Sequence, residues 1–548
     1  MPRASLFDPA NALVTWAEAE EAAELTGLKP IELATFKADR HALHQVLIRV
    51  TVEIHVPDGP NYADLGINLR SMAATILDTE VASELPSITE AFDGLREKAR
   101  GIIASELDLH IYTEPPLPDP PGFLDRLFGK TEPPPPVTTR DERALSASTF
   151  WSENADSQHD DLTAACFRAL SRVVGAVLGR RGGLVVPKDV LVSIATNLVS
   201  NDRGGDLVGD RVSPLFDRAV EMLGYYRLPS QKEPVVLNGK GASASGKSSI
   251  RHQQRRIAEN LGLDWQDFAV ISPDYWRKQL IDYDGLGDDY KYAAMLTGQE
   301  LEIIDRRLDL LMADKASAGS VPHMLIDRFR FDSFLTPQSR AKESKLLTRF
   351  GSQVFLFFMV TPPAETVVRA WKRGLETGRY KAVDDLLFHN VEAYSGMPDF
   401  FLSWAKNESR WVHYEFLDNS VPQGELPKTI AFGRNGKLVI RDLECFCNVE
   451  RYRHINLEAG NADEILSRVL SVEEAMSLVR RLCQELAEVE ILVPGSDRIF
   501  ARTADGKWLI DPEALPDQLP IEGFGDHNIS KGGLGTSDPD LLQHLIGG

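Results

Sequence analysis

The densest chemistry in the chain is the run Gly241-Ala242-Ser243-Ala244-Ser245-Gly246-Lys247-Ser248-Ser249. It fits Gly-x-x-x-x-Gly-Lys-[Ser/Thr] at every fixed position, and about 0.02 random matches are expected in a chain of this length. Glycine at both ends lets the backbone turn tightly and approach a polyphosphate. Successive N–H groups then point inward, and the helix that follows adds its positive end. Lys247 is expected to reach the β- and γ-phosphates of a nucleoside triphosphate, and the Ser248 hydroxyl to hold Mg²⁺. The apolar run Val235-Val236-Leu237 precedes the loop and a helix-compatible stretch, 249–261, follows it. Strand, loop and helix therefore occur in the order that phosphate binding needs.

Binding a triphosphate suits a kinase, a GTPase or a motor, so the next motif matters. A second apolar run, Ala269-Val270-Ile271, ends at Ser272-Pro273-Asp274-Tyr275-Trp276-Arg277. A carboxylate just past the C-terminal end of a strand lies where open α/β sheets bind ligands. There Asp274 can take a proton from a hydroxyl that attacks the γ-phosphate of ATP. Arg277 follows one helical turn later and can clamp a substrate phosphate in bidentate fashion. The plainer role for Asp274 is to cap a helix over 275–281, and one residue can do both.

These motifs, with the acidic-aromatic stretch Asp288-Asp289-Tyr290-Lys291-Tyr292, resemble the zeta toxin and polynucleotide kinase group of small P-loop kinases. The resemblance covers roughly residues 233–420. It implies a P-loop kinase core that uses ATP and Mg²⁺, with Asp274 as base. The third run, His323-Met324-Leu325-Ile326-Asp327, is similar to the strand of that group that ends in an acidic residue. Asp327 is then a candidate for Mg²⁺ or acceptor contact, or a plain strand-end turn. The stretch from Arg369 through Arg373 to Arg379 resembles the group's lid, whose arginines fold over the transferring phosphate. Arg373 and Arg379 also lie among Glu376, Asp384 and Asp385, as on an ordinary solvated helix. Zeta toxins follow the third-strand acid with a small-residue turn that receives UDP-N-acetylglucosamine. This chain has Arg328-Phe329-Arg330-Phe331 instead. Arg328 and Arg330 point to a different acceptor with its own phosphate, or to surface ion pairs.

The expected activity is transfer of the ATP γ-phosphate to a hydroxyl of a small phosphorylated metabolite or nucleotide, such as a nucleotide-sugar or dinucleotide. A toxin or effector role accompanies the resemblance. The alternatives are a polynucleotide 5′-hydroxyl kinase and an ATP-gated interaction module without phosphotransfer.

The elements that position these residues follow from the texture of the chain. After about residue 234, short apolar runs alternate with longer amphipathic stretches, the pattern of a parallel sheet wrapped by helices. The fourth run is 354–360. The fold class is α/β, a P-loop kinase core over 233–420. A helical α+β module over 1–113, a Pro-rich linker over 114–139 and a helical region over 140–232 precede it. A small α+β appendage with a Gly-rich tail over 421–548 follows. In detail, 50–56 alternates as a half-buried strand and 202–206 reads as a loop. The pair Asn435-Gly436 marks one hairpin and Asp505-Gly506 another, and a capping box at Ser471 opens a helix over 471–489.

The 548 residues carry 60 Lys+Arg and 81 Asp+Glu, a net charge of −21. Residues 235–420 hold 24 basic and 25 acidic residues, so the core is nearly neutral and the acidity lies in the flanks. Such a charge disfavours long nucleic acid and membrane surfaces as partners, but not a small phosphorylated acceptor. Four cysteines are too few for a disulfide framework, and Cys445-x-Cys447 alone is a weak metal signature. No continuous apolar run reaches the ~20 residues that span a bilayer. A cytoplasmic location is expected, although this test is blind to non-classical secretion. An inhibitory partner, or inhibition by the chain's own N-terminal region, is an expectation of the resemblance alone.

Overall fold

The computed structural model describes residues 4–61, 63–113, 139–327, 347–422, 424–504, 507–511, 513–514 and 530–531. The Pro-rich linker, Arg328, Arg330, the Asp505-Gly506 turn and most of the Gly-rich tail lie outside them. The chain forms two compact units, one of Met1–Leu47 with Met72–Gly224 and one of Ile48–Ser71 with Tyr225–Gly548.

The first unit is helical. Trp16–Thr26 and Arg140–Asn154 each begin at a threonine capping box, at Thr15 and Thr139. Asp161–Arg181 ends at Gly182 in the left-handed conformation. That helix is long and apolar enough to cross a membrane by length and composition, although no continuous apolar run within it has that length. Half of its apolar window is buried, with Leu170, Val173 and Val174 wholly so, as in a core helix. The expected loop at 202–206 is absent. A π-helical turn, Ser200–Gly204, leads directly into the helix Gly205–Leu223. Gly204 serves close approach rather than a turn, because a Cβ there would lie 2.6 Å from the Phe92 ring. The expected strand at 50–56 is also corrected. The helix Ala38–Glu53 runs through most of it, and only Ile54 makes a bridge, to Arg227. This helix buries side chains on all sides (His44, Leu47, Val50, Val52), so its sequence shows no helical stripe.

The second unit is built on one sheet. Its strands are β1 (Val235–Lys240), β2 (Phe268–Ile271), β3 (His323–Asp327), β4 (Gln353–Val360), β5 (Trp411–Asp418), β6 (Lys428–Arg434), β7 (Lys437–Ile440), β8 (Glu488–Leu492), β9 (Ile499–Ala504), β10 (Lys507–Ile510) and β11 (Ser530–Lys531). Among the described residues the order is β11-β10-β9-β8-β7-β6-β5-β4-β1-β3-β2. From β2 to β5 every pairing is parallel. These strands are buried on both faces, which is why they read as unbroken apolar runs rather than alternating ones. Helices Arg251–Asn260, Gly298–Ser317, Pro363–Thr377 and Val383–Ala405 occur between them.

The C-terminal strands were expected to form an appendage. They instead continue the same sheet, since β6 pairs antiparallel with β5 from His413↔Arg434 to Asp418↔Lys428. The β6–β7 hairpin turns at Asn435 (φ 38°) and Gly436 (φ 83°), the two positive-φ positions of a type I′ turn. The Ser471 capping box is present, but the helical stretch ends at Glu485. Buried, β-branched Val489 and Ile491 enter β8 between β7 and β9.

Candidate active site

β1 sits between β3 and β4, with the chain crossing to opposite sides of it, so its C-terminal end opens on the switch point where such sheets bind ligands. The loop 241–249 leaves from that end. Gly246 has φ +87°, and a Cβ there would lie 2.2 Å from Asn419 Nδ2, so conformation and space both demand glycine. At Gly241 a Cβ would meet Ser245 Oγ at 2.7 Å and Met359 Cβ at 2.8 Å. Ala244 takes a left-handed φ of 61° without being glycine, a local strain that phosphate-cradling turns carry.

The loop is pinned from two neighbouring strand ends. Ser245 O accepts from Thr361 Oγ1 (2.9 Å) just past β4 and from Asn419 Nδ2 (2.7 Å) just past β5. Ser249 Oγ closes the far side by donating to Gly246 O at 2.7 Å. Lys247 curls over the loop and donates to Gly241 O (3.2 Å) and Ala242 O (3.0 Å). Burial pulls its ammonium pKa down, Asp327 and Asp274 oppose that, and Arg373 and Arg379 add to it. One lysine therefore senses the phosphate loop, both candidate acids and both candidate lid arginines. The sequence motifs converge on one place.

Asp274 is not a cap. It lies inside a short 3₁₀ turn, Pro273–Trp276, and its carboxylate is held by two guanidinium groups. Arg277 Nε donates to Oδ1 at 2.8 Å, and Arg379 Nη2 donates to Oδ2. Burial alone would raise the carboxyl pKa. Arg379, Arg277 and Arg373 outweigh it and hold the group well below the usual carboxylate range. Asp274 nonetheless keeps 38% of its side chain exposed against 17% for each arginine, so a hydroxyl can reach it.

Arg277 is itself anchored through Nη1, which donates to Thr297 Oγ1 (2.9 Å) and to Ala294 O. Arg379 follows the helix Pro363–Thr377, whose end is tied down. Ala294 N donates to Gly378 O (3.2 Å) and Tyr380 N to Lys291 O (3.1 Å). Arg373 Nε donates to Arg379 O at 3.2 Å. Lys381 beside them contacts His389, and burial is the main cause that brings its pKa down to about 8.

Asp327 ends β3 opposite Gly239 of β1, with Arg251 Nη2 at 3.9 Å. Together Ser248 and Asp327 supply a hydroxyl and a carboxylate at the loop. Mg²⁺ completes its shell with phosphate oxygens and water, so two protein oxygens suffice. The residues thus fit Mg²⁺ and a triphosphate on chemistry and on the glycine cradle. Mg²⁺ would neutralise charge on the phosphates.

No family model matches the chain. Among curated proteins it is similar to an adenylate kinase of Phocaeicola vulgatus, 27% identical over 182 residues, which cover 32% of this chain and 87% of that protein. Among solved structures it is matched by one from the PezAT chromosomal toxin-antitoxin system of Streptococcus pneumoniae, at 15% identity and a TM-score of 0.24. That match covers 47% of this chain and 89% of the other. Phosphate loop, sheet and curated relative together make this a P-loop kinase-like fold.

Sequence reasoning missed several residues of the site. Thr361 and Asn419 each stand directly after a buried strand, and that position alone is the signal that finds them. Arg369, which the sequence reading included in the lid stretch, instead supports the loop, donating to Asn419 O and Glu365 Oε2, both at 2.8 Å. Tyr283 and Arg70 have no motif to announce them; only the fold brings them near Asp274.

Proposed function

We propose that the protein is an ATP-dependent phosphotransferase that moves the γ-phosphate to a hydroxyl of a small phosphorylated metabolite or nucleotide. The observation that carries this reading is the Asp274 carboxylate, half-buried, ionised and braced by Arg277 and Arg379 within electrostatic reach of Lys247. A protein that only senses ATP has no need of an acid and two arginines beyond its phosphate loop.

Gly241 to Ser249 would cradle the phosphates of ATP with Lys247 at the β- and γ-positions, and Ser248 and Asp327 would hold Mg²⁺. Phosphoryl transfer proceeds through a loose transition state, so the protein contributes position and charge more than covalent chemistry. Asp274 would orient the acceptor hydroxyl and take its proton late in transfer, when weak basicity is no obstacle. Before transfer, Arg379 would turn from Asp274, with Arg373 beside it, to the equatorial oxygens of the transferring group. Arg277 would stay on its anchor and meet a phosphate of the acceptor.

The test is incubation of the purified protein with γ-labelled ATP and a small-metabolite extract, followed by mass spectrometry of labelled species. A labelled small molecule that depends on Lys247 is expected. A protein that binds ATP tightly and labels nothing beyond water would refute the reading.

A further inference from the structure

One polar group near Asp274 has no partner among the described residues. Tyr283 Oη is buried and has no hydrogen-bond partner among the described residues. An unpaired buried hydroxyl is destabilising, so one kept at a site calls for a ligand or a strain to explain it. Its surroundings point to a ligand. The phenol lies within electrostatic reach of Arg277, Arg379, Asp274 and Arg70, and burial pushes its pKa up, so it stays a neutral donor. The ring is fixed. Lys278 Nζ stands 5.3 Å above its centre, and a Cβ on Gly378 would come within 2.6 Å of its Cε2.

Arg70 approaches from the segment Ile48–Ser71, which belongs to the same compact unit. Its Nη1 donates to Tyr275 O at 3.2 Å, on the residue next to Asp274. Gly66, one turn earlier, makes room for this, because a Cβ there would sit 2.8 Å from the Tyr275 ring. Thr51 Oγ1 accepts from the buried Trp276 Nε1 at 3.1 Å, so the segment is joined to the Asp274 turn at both Tyr275 and Trp276. The cation is therefore held on the Asp274 turn, within electrostatic reach of the Tyr283 donor.

We propose that Tyr283 and Arg70 form an anion subsite that takes a phosphate group of the acceptor beside the hydroxyl held at Asp274. A guanidinium and a neutral O–H donor together suit phosphate oxygens, which accept several hydrogen bonds and carry charge. The subsite rests on the phosphotransferase reading for the word acceptor, and it makes residues 48–71 a part of substrate recognition.

The experiment uses the full chain with its phosphate loop filled by Mg·AMP-PNP, and inorganic pyrophosphate as probe in calorimetry. Wild type is expected to bind pyrophosphate at one further site. Tyr283→Phe and Arg70→Gln should each weaken that binding by about tenfold, the worth of one charge-assisted hydrogen bond. Arg70→Lys should recover part of it. In the free protein, Tyr283→Phe should leave the melting temperature unchanged or raise it, since the lost hydroxyl had no partner. The proposal falls if loaded wild type binds no pyrophosphate, if both variants bind it as wild type does, or if Tyr283→Phe lowers the melting temperature. Should extract labelling give no product while the pyrophosphate pattern holds, the phosphotransferase reading fails and the subsite stands. The opposite pair of results removes the subsite alone.

Discussion

The phosphate loop and the Asp274 cluster meet at one candidate site but are put together differently. The loop is consecutive, 241–249, and its shape is set by glycines whose positions leave no room for a side chain. The cluster is assembled by packing, with nearby Arg277 and distant Arg379 meeting on one carboxylate and Tyr283 within electrostatic reach of it. A consecutive site owes its shape to local backbone chemistry. An assembled one owes it to packing, and its charges hold each other in place until a substrate takes them over.

That difference can be broken at either end, and the largest effect should come from the loop. If the proposed phosphotransfer holds, Lys247→Ala removes the cation expected at the transferring phosphate and should lower phosphotransfer by about 10³-fold or more. Label incorporation from γ-labelled ATP measures it, and circular dichroism checks that the fold persists. Asp274→Asn should cost about 10²–10³-fold in turnover. Because the loop is built without it, Mg·ATP affinity measured by equilibrium titration should stay within a few-fold. Wild-type turnover in this variant would remove Asp274 from the chemistry.

Arg379→Ala tests mutual restraint within the cluster. It should reduce kcat by about 10–10²-fold and also change the pH profile. The folded Asp274 pKa is depressed, so its ion pairs stabilise the protein above the unfolded value of about 3.9 and are lost as pH falls through the folded value. Removing Arg379 brings the folded value back toward the ordinary range. The acid limb of kcat/KM, and the acid loss of stability, should then both shift to higher pH. A limb that stays in place would show that Asp274 does not govern it. The smallest effect is expected from Asn419→Ala, which takes one strand-end hydrogen bond from Ser245 O. A loss of about three- to tenfold in ATP affinity, with kcat little changed, would show how far the loop depends on its supports.

Legibility in the sequence follows the same division. The loop could be read residue by residue because its chemistry is local. The first four strands of the sheet could be read because double-sided burial leaves unbroken apolar runs. The resemblance supplied Arg373 and Arg379 as lid residues, and the structure brings both to Asp274 and Lys247. Tyr283 and Arg70 could not be found, since nothing around either in sequence differs from a surface turn or an amphipathic helix. The strand expected at 50–56 failed for a related reason. A helix buried on all sides erases the period that distinguishes it, and the alternation of Val50 and Val52 within it, continued by Ile54 just past its end, arose by composition. Arg328 and Arg330 lie outside the described residues, so the third-strand departure from zeta toxins has no structural account.

The continuity of the sheet has a consequence for protein quality control. β5 carries Trp411, Tyr414 and Phe416, and its outer edge is covered by β6 rather than by solvent. A chain ended near residue 420, where the kinase resemblance stops, would leave that edge with a row of unpaired N–H and C=O groups. Exposed apolar edges of this kind recruit other chains into intermolecular sheets. A chain cut short there should therefore yield aggregate rather than a smaller folded protein, because β6 is the strand that covers this adhesive border.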